Sequence, residues 1–261
     1  MAQPSLFIPH GGGPCFFMPD PGHVWSGIAS FLKGLVDRLP EPPRAIIVVS
    51  GHWETDGFAF TGAGRPDLIY DYSGFPAETY ALRYDVPGDP PLASRAADML
   101  KDAGLAAKVD PSRGLDHGVF VPLKVAFPDA DIPVIEMSVE KDLDPALHLA
   151  AGRALAPLRG EGILIVGSGM SFHNMRAYGD PRSPAPSQAF DRWLTEAVGL
   201  PGPRRAEALA SWATSPGGRF AHPREEHLLP LMVAAGASDA SGERVYNELV
   251  LETAISAFRF A

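Results

Sequence analysis

The stretch RAIIVVSGH, residues Arg44–His52, decides the fold because its apolar run predicts a buried strand. A glycine and a histidine follow this run directly. A short run of Ile and Val that is bounded by polar residues is typical of a strand buried on both faces of a sheet. Three further runs share this character: SLFIPH from Ser5, DIPVIEMSV from Asp131 and GILIVGSGM from Gly162. These four runs predict the central strands of one sheet.

Helical segments separate the apolar runs, which predicts crossover connections between parallel strands. Asp144 followed by Pro145 is a typical helix start, because Asp caps the first turn and Pro fits its first position. The expected helices are 24–38, 91–103, 118–127, 144–158, 187–198, 204–212 and 224–234. The fold class is therefore α/β, a single domain over residues 1–261 with a mainly parallel central sheet and helices on both faces. The tail from Arg244 fits either two strands or a strand and a helix.

Bulk composition excludes several classes of partner. The net charge is −9 and the isoelectric point is near 5.3, which disfavours binding to nucleic acid or to an anionic membrane. No apolar run approaches the roughly 18 residues of a membrane span. A single cysteine excludes an internal disulfide and is typical of a reducing compartment. We therefore expect a cytoplasmic protein.

Three histidines follow predicted strands. His10 ends the first strand, His52 ends the second, and His173 comes shortly after the fourth. Any one of them alone reads as a structural histidine. Because ligands gather at the carboxyl ends of strands in open α/β sheets, three together predict a site there. Imidazole is the commonest metal ligand in proteins, so a metal site is the favoured interpretation.

Two other segments add candidate groups before predicted helices. Asp116 and His117 precede one helix, and AHPREEHLLP places His227 in the first turn of another. In a helix, Glu226 and His227 point in different directions, so Glu226 is read with Glu225 as an acid that complements the helix dipole. HGGGPCFFMP lacks the spacing of a dinucleotide or phosphate loop, and GSGMS lacks that of a nucleophile elbow.

Six blocks of the chain resemble, in order, the 4,5-DOPA extradiol dioxygenase family. This family belongs to the class III extradiol ring-cleavage dioxygenases and is related to the protocatechuate 4,5-dioxygenase catalytic subunit. The resemblance runs from about Leu6 to Ala237. The blocks are IPHGGGP, AIIVVSGHWET, IYDYSGFPAETYALRYDVPGDPPLA, GLDHGVFVPLKVAFPDADIPVIEMSV, GSGMSFHNMR and HPREEHLLPLMVAAGA.

The resemblance implies a non-haem metal enzyme that opens the ring of a catechol-type substrate with O2. Matched residue by residue, His10, His52 and His227 are the metal ligands. His173 is the acid–base histidine, which in some members is counted with the metal, and His117 lies beside the substrate and O2. Fe(II) is the implied working metal, and Zn(II) fits the same three neutral imidazoles. The family also suggests a homodimer.

The chain departs from the family where His-Gly-Ser-Pro is usual and His10-Gly11-Gly12-Gly13-Pro14 stands instead. This change leaves the identity of the catechol and the cleavage position open. An aromatic substrate needs an apolar slot, for which the candidate walls are Phe16, Phe17, Trp53, Tyr72 and Phe75. The sequence offers three arginines for a substrate carboxylate: Arg83, Arg176 and Arg224.

Two other functions remain open from the sequence. One is a zinc-dependent hydrolase in which His173 acts as the base toward a zinc-bound water. The other is a binding protein of the same fold without catalytic activity. The full histidine set argues against the second, because a binding protein has no need of His173 and His117 beside three ligands.

Overall fold

The structure is a computed structural model and describes residues 2–261. Its centre is one eight-stranded sheet with the strand order β4-β3-β5-β2-β6-β1-β8-β7. The strands are β1 Ser5–Pro9, β2 Ala45–Thr55, β3 Phe58–Thr61, β4 Ala107–Asp110, β5 Val134–Glu140, β6 Ile163–Gly169, β7 Gly242–Val250 and β8 Thr253–Phe260.

The four predicted strands form the middle of this sheet. β5, β2, β6 and β1 are parallel neighbours, while β3, β8 and β7 each pair antiparallel with a strand beside them. The run Ile46–Val49 is fully buried, as its uninterrupted apolar character predicts. The mainly parallel α/β sheet is confirmed, and the tail that the sequence left open is the antiparallel pair β7 and β8.

Eight α-helices surround the sheet in the described part of the chain. They are α1 Ser26–Lys33, α2 Pro90–Asp102, α3 His117–Ala126, α4 Pro145–Leu155, α5 Pro184–Val198, α6 Gly202–Ala210, α7 Gly218–Ala221 and α8 Leu229–Gly236. Asp144 caps α4 by accepting a hydrogen bond from the Ala146 amide, as expected. Within residues 2–261, no helix combines the length and apolarity that a membrane span requires.

One predicted helix begins later than expected. The sequence interpretation placed a helix over 224–234, but α8 begins at Leu229 and the residues before it form turns. Pro230 gives the physical reason. Proline lacks an amide hydrogen and is favoured in the first turn of a helix, where that hydrogen has no partner, so Pro230 favours a helix that begins close to it. His227 therefore lies in a turn rather than in a helix.

Alternating residues of β6 show that helices cover both faces of the sheet. A side chain at Gly167 would meet Pro230 of α8, whereas the Ser168 hydroxyl donates a hydrogen bond to the carbonyl of Gly118 in α3. Successive residues of a strand point to opposite faces. α8 and α3 therefore lie on opposite faces, and the segments that carry His227 and His117 approach the strand ends from the two sides.

Two glycines allow the turn around His227 to lie directly on the strand ends. A Cβ atom at Gly51 would overlap the carbonyl oxygen of Glu226, and one at Gly169 would overlap that of His227. The amide of Met170 also donates a hydrogen bond of 3.1 Å to the His227 carbonyl. The backbone of this turn is therefore held against β2 and β6 at a distance that only glycine permits.

We expect Gly169→Ala to destabilise the protein because the new methyl group overlaps a backbone carbonyl that cannot swing away. Overpacking of this kind costs about 1–3 kcal/mol in the free energy of unfolding, measurable by urea denaturation. Gly160→Ala is the matched control, because nothing lies within 4 Å of a Cβ atom there. Equal stability of the two variants would contradict this close approach.

Candidate metal centre

Five histidines meet at the carboxyl ends of the central parallel strands. His10 directly follows β1, and His52 lies within β2, where the pairing with β5 shifts between Ser50 and Glu54. A local irregularity in a strand re-aims the side chains within it. The other three are His117, the first residue of α3, His173, which follows β6, and His227 in the turn before α8.

The side-chain nitrogens of these residues form two adjoining groups. His10, His52 and His117 offer ligand atoms that all lie within 4.8 Å of one another, and so do His173, His227 and the carboxylate of Glu226. The groups meet where Nε2 of His52 lies 3.3 Å from Nε2 of His227. The ring centroid of His10 is 5.1 Å from that of His52 and 5.2 Å from that of His227.

The other ring nitrogen, Nδ1, has an acceptor beside it in each of the three histidines that the family resemblance gives as ligands. His10 Nδ1 donates to the carbonyl of Gly11 over 2.9 Å, and His227 Nδ1 donates to Glu226 over 3.0 Å. His52 Nδ1 lies 3.5 Å from Asp71. These partners favour the tautomer that leaves the Nε2 lone pair free toward the site.

Burial keeps these three imidazoles neutral. Burial and the neighbouring histidines hold the pKa of His10 well below its usual value, and burial, with His117, lowers the pKa of His52 to about 4. Burial also holds the pKa of His227 low, against the opposing effect of Glu226. Nε2 of His10 is buried without a hydrogen-bond partner among the described residues.

These observations fit a bound cation. The Nε2 atoms of His52 and His227 lie 3.3 Å apart, and a buried nitrogen without a partner, such as Nε2 of His10, costs free energy. A divalent metal ion bound between these rings would accept their Nε2 lone pairs and remove that cost. His10, His52 and His227 are therefore suited to hold one.

Glu226 contacts two of the histidines, which contradicts the interpretation as a dipole-complementing acid. Its Oε1 atom accepts from His227 and lies 3.6 Å from Nδ1 of His173, whose ring stacks on that of His227 at 3.4 Å. Burial raises the pKa of the Glu226 carboxyl, but hydrogen bonds from His173 and His227 outweigh this and hold the pKa well below its usual value. A permanent negative charge thus sits behind both rings.

Asp71 is a second carboxylate that the sequence did not reveal. One of its oxygens accepts from both the backbone amide and Nδ1 of His117, over 2.9 Å and 2.8 Å. Asp116, the neighbour of His117 in the chain, does not contact the His117 ring; its side chain accepts from Ser50 and lies beside Arg113.

An aromatic cavity of about 680 Å³ opens in front of the five histidines. Tyr72 and Phe75 line it, as predicted, whereas Phe16, Phe17 and Trp53 do not. Trp53 is buried beneath Arg113, whose guanidinium carbon lies 5.0 Å from the centre of its ring. Trp25 forms a further part of the aromatic wall. Nothing in the local sequence marks Trp25 as a wall residue, because a loop rather than a strand brings it to the site.

None of the three arginines suggested for a substrate carboxylate lines the cavity. Arg83 and Arg176 lie outside its wall. Arg224 is engaged elsewhere, because its guanidinium donates to both carboxylate oxygens of Glu54, over 2.5 Å and 2.6 Å, and lies 3.3 Å from Glu226. The expectation of an arginine at the substrate has no support in this geometry.

Comparison with known proteins identifies the family of the chain. Residues 6–258 match a family model described as the catalytic LigB subunit of aromatic ring-opening dioxygenase. The chain is 43% identical over 257 residues to the dioxygenase tasH of Hapsidospora irregularis, covering 90% of this chain and 78% of that one. It is 42% identical over 257 residues to a 4,5-DOPA dioxygenase extradiol of Portulaca grandiflora, covering 95% and 90%.

A bacterial relative and a solved structure extend the comparison. The Escherichia coli K12 protein named 4,5-DOPA dioxygenase extradiol is 36% identical over 242 residues, which cover 91% of this chain and 86% of that one. A crystal structure of an uncharacterized protein from Escherichia coli K12 superposes with a TM-score of 0.80 at 29% identity, covering 99% of this chain and 100% of the other. The chain therefore belongs to the family of catalytic LigB subunits of aromatic ring-opening dioxygenases.

Proposed function

We propose that this protein is a metal-dependent extradiol dioxygenase that opens the ring of a catechol-type substrate with O2. The observation that carries the proposal is the pair of Nε2 atoms of His52 and His227, which face each other at 3.3 Å beside the unpartnered Nε2 of His10. They lie at the end of a cavity with aromatic walls. Both atoms of O2 enter the ring-opened product, so no further reductant is required.

His10, His52 and His227 hold the metal in this proposal, and Fe(II) is the metal that supports the activity. Three neutral nitrogen ligands leave the full dipositive charge on the ion, so Zn(II) also fits the site. A bound Fe(II) would lower the pKa of a catechol hydroxyl and hold the catechol and O2 on one ion.

His173 is the proposed acid and base. Its ring is held by stacking on His227 and by the charge of Glu226, and its side chain is 20% exposed to the cavity side. A histidine in this setting can accept the phenolic proton of the substrate at one ring nitrogen and return it to the product. Glu226 stabilises the protonated ring while the proton is held.

His117 is the proposed partner of the bound oxygen and substrate. Asp71 accepts the hydrogen from its Nδ1 atom and so fixes the orientation of the ring, whose other edge faces His10 and His52. Tyr72 packs beside it, with ring centroids 5.7 Å apart, and provides an apolar surface for the substrate ring. Burial raises the pKa of Tyr72 to about 12, so its hydroxyl stays neutral.

We also propose that residues 1–261 form one domain, because a single hydrophobic cluster contains residues of both β3 and β8.

We further propose a cytoplasmic location, because the one cysteine, Cys15, is a free and buried thiol. The homodimer implied by the family stays a prediction that size-exclusion chromatography with light scattering can test.

We expect His10→Ala and His52→Ala to lose bound metal, because each removes one of three nitrogen ligands. His173→Ala should keep its metal and lose turnover, because His173 moves protons and does not bind the ion. Elemental analysis of the purified variants and O2 uptake check these outcomes. Full metal occupancy in the His10 and His52 variants would contradict the assignment of the ligands.

We expect Glu226→Ala to weaken metal binding by about 10- to 100-fold, as is typical when the partner of a ligating histidine is removed. Glu225→Ala is the matched control, because the Glu225 side chain pairs with Arg219 at the surface. Competition with a fluorescent chelator measures both affinities. If the two variants bind metal equally well, Glu226 does not support His227.

The reaction itself is tested by reconstituting the protein anaerobically with Fe(II) and then adding a catechol and O2. We expect stoichiometric O2 consumption and a yellow ring-fission product, and we expect the zinc-loaded protein to give neither. Cleavage of esters or amides without O2 uptake would instead favour the hydrolase. Screening DOPA, caffeate, protocatechuate and gallate identifies the class of catechol.

A further inference from the structure

The wall of the cavity contains almost no charged side chains. The twenty residues around it include no Lys and no Arg, and Asp20 is the one Asp or Glu among them. Away from the histidines the wall is built mainly from aromatic and aliphatic side chains: Met18, Val24, Trp25, Phe75, Met175 and Leu251. A substituent on the substrate ring therefore meets an apolar surface.

Asp20 makes the wall of the cavity unfavourable for a negatively charged substituent. Its two carboxylate oxygens accept hydrogen bonds from the backbone amides of Val24 and Trp25, over 2.9 Å and 2.8 Å. The carboxylate is thus fixed in place on the wall. A carboxylate on a substituent that lies against this wall, away from the metal ion, would meet this like charge and no cationic side chain to pair with it.

Two glycines make room for the aromatic part of the wall. A Cβ atom at Gly12 would lie 3.2 Å from the indole of Trp25, and one at Gly13 would lie 2.9 Å from the ring of Phe75. These are the positions at which the chain carries Gly-Gly in place of a single serine. The rings of Trp25 and Phe75 therefore rest directly on the backbone that follows His10.

Building on the proposed dioxygenase function, we propose that the cavity selects catechols with an uncharged, apolar substituent and rejects catechols with a carboxylate. Trp25 and Phe75, seated on Gly12 and Gly13, are the residues that bind the substituent. The cavity volume of about 680 Å³ lies within the range of pockets for drug-sized ligands, which leaves room beyond a single ring.

Two catechols of matched shape test this selectivity. 4-Propylcatechol and 3-(3,4-dihydroxyphenyl)propanoate differ only in ending with a methyl group or a carboxylate. We expect the propyl compound to have the higher kcat/KM, by at least about tenfold, in O2 uptake by the Fe(II)-loaded protein. Anaerobic calorimetry should give the same preference in Kd.

The two readouts separate the two proposals. A preference in Kd without O2 consumption contradicts the dioxygenase function and supports the selectivity. O2 consumption with equal or inverted preference contradicts the selectivity and supports the function. Failure of both compounds to bind also overturns the selectivity.

A cationic side chain introduced at the wall should reduce the preference for the propyl compound over the carboxylate compound. Met175 lines the cavity and is 70% exposed, so Met175→Arg can place a guanidinium there without disturbing the core. We expect the preference for the propyl compound to fall by about fivefold or more, and Met175→Gln to leave it nearly unchanged. An unchanged preference in Met175→Arg would contradict the role of the missing cation.

A substitution at Gly12 tests whether the substituent binds against Trp25. Gly12→Ala presses on Trp25, so we expect the Kd of 4-propylcatechol to rise by at least about threefold. Gly64→Ala is the control, because nothing lies within 4 Å of a Cβ atom there. Equal Kd values for the two variants would contradict the placement of the substituent against Trp25.

Discussion

The contact between Nε2 of His52 and Nε2 of His227, 3.3 Å apart, is the constraint on which the site depends. Burial lowers the pKa of both rings, which favours the neutral form that can bind a metal ion. The fold imposes this contact through glycines at the strand ends, which let the turn around His227 lie on β2 and β6. The fold thus brings two imidazole nitrogens to a separation at which one cation can bind both.

Charged groups lie on one side of this contact and the cavity lies on the other. Asp71 and Glu226 lie behind the histidines and hold hydrogens on their Nδ1 atoms, while the opposite side is the nearly uncharged cavity. A further buried pair, Asp116 and Glu136, lies below the end of β2, and burial and Asp116 raise the pKa of Glu136 well above its usual value. Glu136 therefore favours its neutral form, and the negative charge behind the histidines comes from Asp71 and Glu226.

The sequence predicted the features that follow from local periodicity. The central strands and the histidines that follow them are marked by uninterrupted Ile and Val runs, and the start of α4 by Asp144 and Pro145. The role of Glu226 was predicted wrongly because the expected helix over 224–234 included it. Pro230 is the sequence signal for the later helix start. Asp71 and Trp25 reach the site by tertiary packing of loops, which no spacing in the chain encodes.

The central claim is that one divalent ion is bound by Nε2 of His10, His52 and His227. Anomalous diffraction at the metal edge from crystals of the Fe(II)- or Zn(II)-loaded protein measures this directly. We predict one strong anomalous peak, which for zinc lies about 2.0–2.1 Å from each of these three nitrogens. A peak held instead by His173 and Glu226, or no peak between His52 and His227, would contradict it.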